Sequence, residues 1–196
     1  MQADPSNHLA DGRSVVHIVA EYGFTAVLET LMGHVPLSLL SESSPASHLT
    51  PLESALVLGH AAVVEKLVEA GAADRTWSDK GCNCSLFLLA ARNISNDLSI
   101  AMKMIDCLLC AGVSLDQVNH DNETPFFELT HKTYLPVLQH LLTHVTPPCL
   151  QVVNFHSKNC VTAAVENGNY EAALTLVAAG ATLHPTPEAE KAMQQK

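Results

Sequence analysis

The stretch Thr50-Pro51-Leu52-Glu53-Ser54-Ala55-Leu56-Val57-Leu58-Gly59-His60 decides the fold. Proline is tolerated at the first position of a helix, where its missing N–H breaks no bond, and a threonine just ahead of it can cap the unpaired amides of the first turn. Thr50-Pro51 therefore predicts a helix opening at Pro51. Val63-Val64 and Leu67-Val68 recur at helical spacing, predicting a second helix that closes at Ala70-Gly71-Ala72 on a glycine able to turn left-handed.

Outward from this stretch the pattern recurs. Thr124-Pro125-Phe126-Phe127 leads to Val137-Leu138 and Leu141-Leu142. Three weaker copies share the frame. Ser14-Val15-Val16-His17 leads to Ala20, Gly23, Val27-Leu28 and Leu31. Ser85-Leu86-Phe87 leads to Ala90-Ala91, Leu108-Leu109 and Ala111-Gly112. Asn159-Cys160-Val161 leads to Ala164, Gly168, Leu174, Leu176-Val177 and Gly180. Taking Ser14, Thr50, Ser85, Thr124 and Asn159 as equivalent gives spacings of about 36, 35, 39 and 35, and a repeat of that length signals stacked helical units. Ala55, Ala90-Ala91 and Ala163-Ala164 are small enough for two helices to approach closely, and the Val and Leu pairs form the seam to the next unit. A single unit cannot bury its own apolar face, so neighbours stabilise one another.

Composition agrees. The hydrophobic share of 47% supports a continuous core, and an aromatic share of 5% means that aliphatic side chains fill it. A formal net charge of −10 with only 10 Lys and Arg argues against nucleic acid as a partner, because neutralising phosphates needs clustered cations. The acidic balance suits a basic partner and also suits plain solubility. No apolar run reaches the roughly 18 residues a membrane span needs, and 1–13 lack the layout of a signal peptide. The expectation is an intracellular protein, cytoplasmic or nuclear, with reduced cysteines and no membrane insertion.

These copies resemble the ankyrin repeat, whose pattern runs Gly-x-Thr-Pro-Leu-His-x-Ala-Ala-x-x-Gly-His, then Val-Val, Leu-Leu and Gly-Ala. The resemblance covers residues 11–181, with two copies carrying Thr-Pro and the others degenerate. It implies an all-α solenoid of stacked helix-turn-helix units with β-turn-like connections. The copies fall at 11–46, 47–81, 82–120, 121–155 and 156–181, between a frayed segment at 1–10 and a cap or linker at 182–196. The third copy carries an insertion of about six residues near Asn93 to Leu98, expected to project as a loop. Ser41 to Ser47 reads as a solvated connection.

In proteins of this kind the partner meets a concave face, formed by the residue before the motif threonine and two variable residues of the first helix. Carried over copy by copy, the resemblance implies Arg13, Glu21 and Tyr22, then Leu49, Val57 and Leu58. The third copy supplies Cys84, Arg92 and Asn93, with its register disturbed by the insertion. The fourth supplies Glu123, His131 and Lys132, and the fifth Lys158, Glu166 and Asn167, with Phe155 and His156 on the preceding turn. Tyr22, Leu49, Val57, Leu58 and Phe155 are apolar where such positions usually face water, which predicts an interaction patch. The partner expected is another protein or a peptide segment with apolar anchors and a few charges.

Little in the sequence suggests chemistry. Cys82, Cys84, Cys107, Cys110 and His120 are zinc-ligand types, but Cys107 and Cys110 flank Leu108-Leu109 within one predicted helix and read as core packing. His17 and His60 match the two histidines of the repeat pattern, where such side chains bridge backbone groups. Nucleophile and phosphate-loop signatures are missing. The reading is a non-catalytic interaction scaffold that needs no cofactor. The alternative is a complete small adaptor that targets a substrate to a ubiquitin ligase or regulates a transcription factor. A metal protein or enzyme would need the cysteines or several histidines to converge.

Overall fold

The computed structural model describes residues 8–9, 11–73, 85–95, 97–145 and 147–184. Within them the chain is helical and has no strand, and no helix is long and apolar enough to cross a membrane. Two compact units divide the chain, Met1–Val113 and Ser114–Lys196.

The first unit holds three helix pairs. They are α1 (Val15–Tyr22) with α2 (Thr25–Met32), α4 (Pro51–Leu58) with α5 (Ala61–Glu69), and α6 (Leu86–Ala91) with α7 (Leu98–Cys110); α3 (Leu37–Leu40) is a short connecting helix. The first helices α1, α4 and α6 pack in a row, and the second helices α2, α5 and α7 pack in another. Ala20, Ala55, Ala90 and Ala91 are completely buried and allow the close approach. Leu28, Val64, Leu67, Ile105 and Leu108 are equally buried along the second layer.

The second unit holds α8 (Pro125–Glu128), α9 (Leu135–Leu142), α10 (Cys160–Glu166) and α11 (Tyr170–Ala178). Here α10 packs on α11, α8 on α10, and α9 on α11. Residues 181–184 fold back on α10: the Thr162 hydroxyl donates to the His184 carbonyl at 2.6 Å, and the Asn159 side-chain amide donates to the Thr182 carbonyl.

Capping at α4, α6 and α10 follows the motif. Thr50 Oγ1 accepts from the Glu53 amide at 3.2 Å while the Glu53 carboxylate accepts from the Thr50 amide at 2.7 Å, a reciprocal box at the start of α4. Ser85 and Asn159 cap α6 and α10 by accepting from Leu88 and Thr162. Thr124 does not cap α8. Its hydroxyl is buried with no hydrogen-bond partner among the described residues, and Phe127 stands where Glu53 reciprocates in α4.

A recurring turn that glycine marks in one copy alone precedes four of the first helices. Two residues before the cap, the backbone is left-handed at Gly12 (φ 81°), His48 (φ 59°), Asn122 (φ 62°) and Ser157 (φ 59°). Hydrogen bonds close each turn, as from the Asn119 amide to the Glu123 carbonyl at 3.0 Å and from the Asn154 amide to the Lys158 carbonyl at 2.8 Å. Asparagine side chains reinforce two of them: Asn119 Oδ1 accepts from Asp121 and Glu123, and Asn154 Oδ1 from His156 and Lys158.

Three expectations are corrected. The insertion of the third copy is not a projecting loop; it forms a 3₁₀ turn, Arg92–Ser95, and lengthens α7 to 13 residues against 9 in α5. Within the connection at 41–47, Ser44 is buried and its amide donates to the Leu49 carbonyl at 2.9 Å. Cys110 is exposed and Cys107 half-buried, so neither is a core residue, because both lie toward the outer side of α7 while Met104, Ile105 and Leu108 face inward.

Candidate functional site

In the four copies with the left-handed turn, that turn holds the residue before the cap, and the residue eight further on lies near or just beyond the end of the first helix. In the first copy this brings the Arg13 guanidinium onto Glu21 at 2.5 Å, and in the fifth it brings Lys158 Nζ onto Glu166 at 2.7 Å. Asp11 engages Arg13 from the other side at 2.8 Å. The guanidinium holds the Asp11 carboxyl below its ordinary range.

The second copy has Leu49 and Val57 at the same two positions, so no ion pair forms and an apolar surface takes its place. Leu49, Val57 and Leu58 line an open cavity of about 240 Å³ together with Glu21, Tyr22 and Ser54. Tyr22 is 65% exposed and Leu58 51%, while Leu49 and Val57 form the half-buried floor. Five residues expected on the concave face, Glu21, Tyr22, Leu49, Val57 and Leu58, are thereby brought into one pocket.

Phe24 extends the patch. Its ring stacks on Tyr22 with centroids 5.7 Å apart and 12° between planes, and it is 52% exposed. Counted from the cap, Phe24 corresponds to His60 of the second copy. His60 Nε2 lies 2.9 Å from the Glu21 carbonyl of the copy before it, and Asn169 Nδ2 donates to the Thr130 carbonyl at 2.8 Å from the same position in the fifth. In the first copy a phenylalanine stands at this position and is left on the surface. That correspondence was available in the sequence as the signal for Phe24.

Other expected contact residues lie elsewhere. Arg92 is exposed in the 3₁₀ turn. Asn93 is a correction: only 3% exposed, it donates through Nδ2 to the Leu56 carbonyl at 2.6 Å and serves as an internal bridge between copies. In the second unit Glu123 accepts from Asn154 Nδ2 at 2.7 Å and does not pair with His131, which lies 3.2 Å from Thr133 Oγ1. Asn167 Nδ2 donates to Thr130 Oγ1 at 2.8 Å. Phe155 is 74% exposed on its turn, with its amide donating to the Asp121 carbonyl. Lys132 opens a short 3₁₀ turn, Lys132–Tyr134, and its side chain lies outside the described residues.

Cys82 and Cys84 also lie outside the described residues, as do 185–196 and most of 1–10. Among those described, no group of three or more His, Cys, Asp or Glu is placed to hold a metal ion. Burial pushes the Cys149 and Cys160 thiols up to about 12, which leaves both protonated and unreactive near neutrality.

No protein-family model matches this chain, and no curated protein matches it.

Proposed function

We propose that this chain is a non-catalytic recognition module of the ankyrin-repeat type, which binds a peptide segment of another protein through the concave side of its early copies. One observation carries the reading: the apolar pocket of Tyr22, Leu49, Val57 and Leu58, opened where the first and fifth copies have ion pairs. Exposed apolar surface that could as readily have been charged is characteristic of interaction sites. Helix pairs in the repeat frame, stacked in two layers within the first unit, support the family assignment.

The pocket suits one bulky apolar anchor. Ser54 is buried in its wall and the Glu21 carboxylate is already engaged by Arg13, so a segment with a leucine or aromatic residue as its main anchor fits it best.

Panning a random peptide library on the wild-type chain tests this, followed by titration of the selected peptides against a Leu58→Asp, Val57→Asp double variant. Circular dichroism verifies that both proteins are helical. Selected peptides should bind the variant at least tenfold more weakly. Equal binding to the folded variant would remove the pocket from the proposal.

A further inference from the structure

The opposite layer of the first unit carries a second, larger hollow. Between α5 and α7 lies a groove of about 510 Å³ whose floor is Ala61, Val68, Cys107, Cys110 and Ala111. These side chains are small, so the hollow is a site where bulk is missing rather than one where polar groups converge. Among the described residues, Glu65, Glu69 and Asp106 rim it together with one cation, Lys103. Glu69 is engaged by Lys66 at 3.0 Å.

The carboxylates follow the repeat. Glu29 on α2, Glu65 on α5 and Asp106 on α7 each stand two residues before a leucine of their helix, Leu31, Leu67 and Leu108, of which Leu67 and Leu108 are completely buried. Because α2 packs on α5 and α5 on α7, the three carboxylates fall on successive helices of the layer, with Lys66 reaching Glu29 at 3.6 Å. Their field is felt locally: burial first, and then Glu65, raises the Cys107 thiol above its ordinary value.

We infer that the α5–α7 groove is a second docking surface, which takes a basic amphipathic helix from another protein, its bulky apolar residues seated on Ala61, Cys110 and Ala111 and its cations facing the acidic rim of Glu65, Glu69 and Asp106. A helix is the occupant because the groove walls are helices with internally paired backbone. An extended segment would find no strand edge there for its own N–H and C=O groups, whereas a helix satisfies them itself. Charge decides against a second copy of this chain, which at −10 overall would bring carboxylates toward the same rim. The surface is independent of the pocket at Leu58.

The test uses a fluorescein-labelled helical peptide of Leu, Ala and Lys, about 18 residues long so that the helix is populated, with leucines on one face and lysines flanking them. Anisotropy gives the affinity, and the alkylation rate of the exposed Cys110 thiol reports on the groove itself. Bound peptide should slow Cys110 alkylation at least tenfold. A Glu65→Lys, Asp106→Lys variant should bind at least tenfold more weakly, and a peptide with glutamates in place of the lysines should not bind. Leu58→Asp should change nothing. The inference is overturned if the peptide fails to bind the wild type or leaves Cys110 unprotected. It is also overturned if the peptide binds the charge-reversed variant equally, or loses affinity on Leu58→Asp, which would place it in the other pocket. Should the charge-reversed variant misfold, Cys110 protection in the wild type decides.

Discussion

His60 Nε2 and the carbonyl oxygen of Glu21 lie 2.9 Å apart, tying the residue ahead of α5 to the last turn of α1. Asn93 reaches Leu56 and Asn169 reaches Thr130 in the same way, so each junction within a unit places a side-chain N–H on a carbonyl near the end of the preceding first helix. Carbonyls at a helix end lack the usual intrahelical donor, and the bridge supplies one while holding adjacent copies in register, although the Leu56 carbonyl also accepts from the Gly59 amide at 3.3 Å. His60→Ala should therefore lower stability by about 1–2 kcal/mol, the cost of a lost bond and a stranded acceptor. His60→Asn should recover part of it, since asparagine does this work at position 169. Urea unfolding followed by circular dichroism measures both. An alanine variant as stable as the wild type would assign the junction to apolar packing alone.

Gly59 is required twice over. Its φ of 77° disfavours any side chain, and a Cβ there would stand 2.7 Å from Asn93 Oδ1, the amide group that bridges to Leu56. Gly59→Ala should cost about 2 kcal/mol, combining the left-handed penalty with a disturbed bridge. Gly33 provides the contrast, with φ of −77° and nothing within 4 Å of a built Cβ. Gly33→Ala should be neutral or stabilising by about 0.5 kcal/mol. Thermal melts of the two variants, read side by side, check the difference.

The neutral form of His17 is built into the start of α1. Nδ1 accepts from the Ser14 amide at 3.3 Å, which leaves Nε2 to donate to the Glu42 carbonyl at 2.9 Å. Burial lowers the pKa below its ordinary 6.5, so in the intervening range the unfolded chain takes up a proton that the folded chain refuses. The stability His17 contributes is thus complete above about pH 6.5 and is lost as pH falls through the lowered folded value. Urea midpoints of wild type and His17→Gln at about pH 7.5 and 5.5 reveal it. The wild-type midpoint should drop further than that of the variant over this interval. Equal drops would mean that other groups carry the acid sensitivity.

How far the sequence reaches depends on whether a position announces its geometry by residue type. Thr50-Pro51 and Pro125 do, since proline and a capping hydroxyl have few other uses, and helices start at both. His60 does as well, through its place after Gly59. The left-handed turns at His48, Asn122 and Ser157 do not: local bonds hold the backbone there, and only Gly12 shows the device openly. Asn93 misleads because a 3₁₀ turn after Ala91 changes the rotation per residue and carries the side chain inward. The Arg13–Glu21 and Lys158–Glu166 pairs are hidden for a related reason. Eight residues separate the partners, and it is the turn before the helix that brings them together. The pocket at Leu58 is legible as a set of apolar residues in variable positions, whereas its depth comes from the missing ion pair beside it.

That missing ion pair offers the sharpest separation of folding from binding. Arg13–Glu21 and Lys158–Glu166 show that the positions one before the cap and seven after it can hold opposite charges in two copies. Leu49 and Val57 occupy them in the second copy, only half-buried, so little core packing depends on their being apolar. A Leu49→Lys, Val57→Glu double variant should form a third such pair. Exposed ion pairs contribute about 0–1 kcal/mol, roughly offsetting the small apolar area lost, so the melting temperature should stay within about 4 °C of the wild type. The apolar floor between Tyr22 and Leu58 would be gone, and peptides selected on the wild type should lose at least tenfold in affinity. Each single variant leaves one unpaired charge on that floor and should be less stable than the double. A double variant that melts normally and still binds would show that recognition uses another surface of the chain.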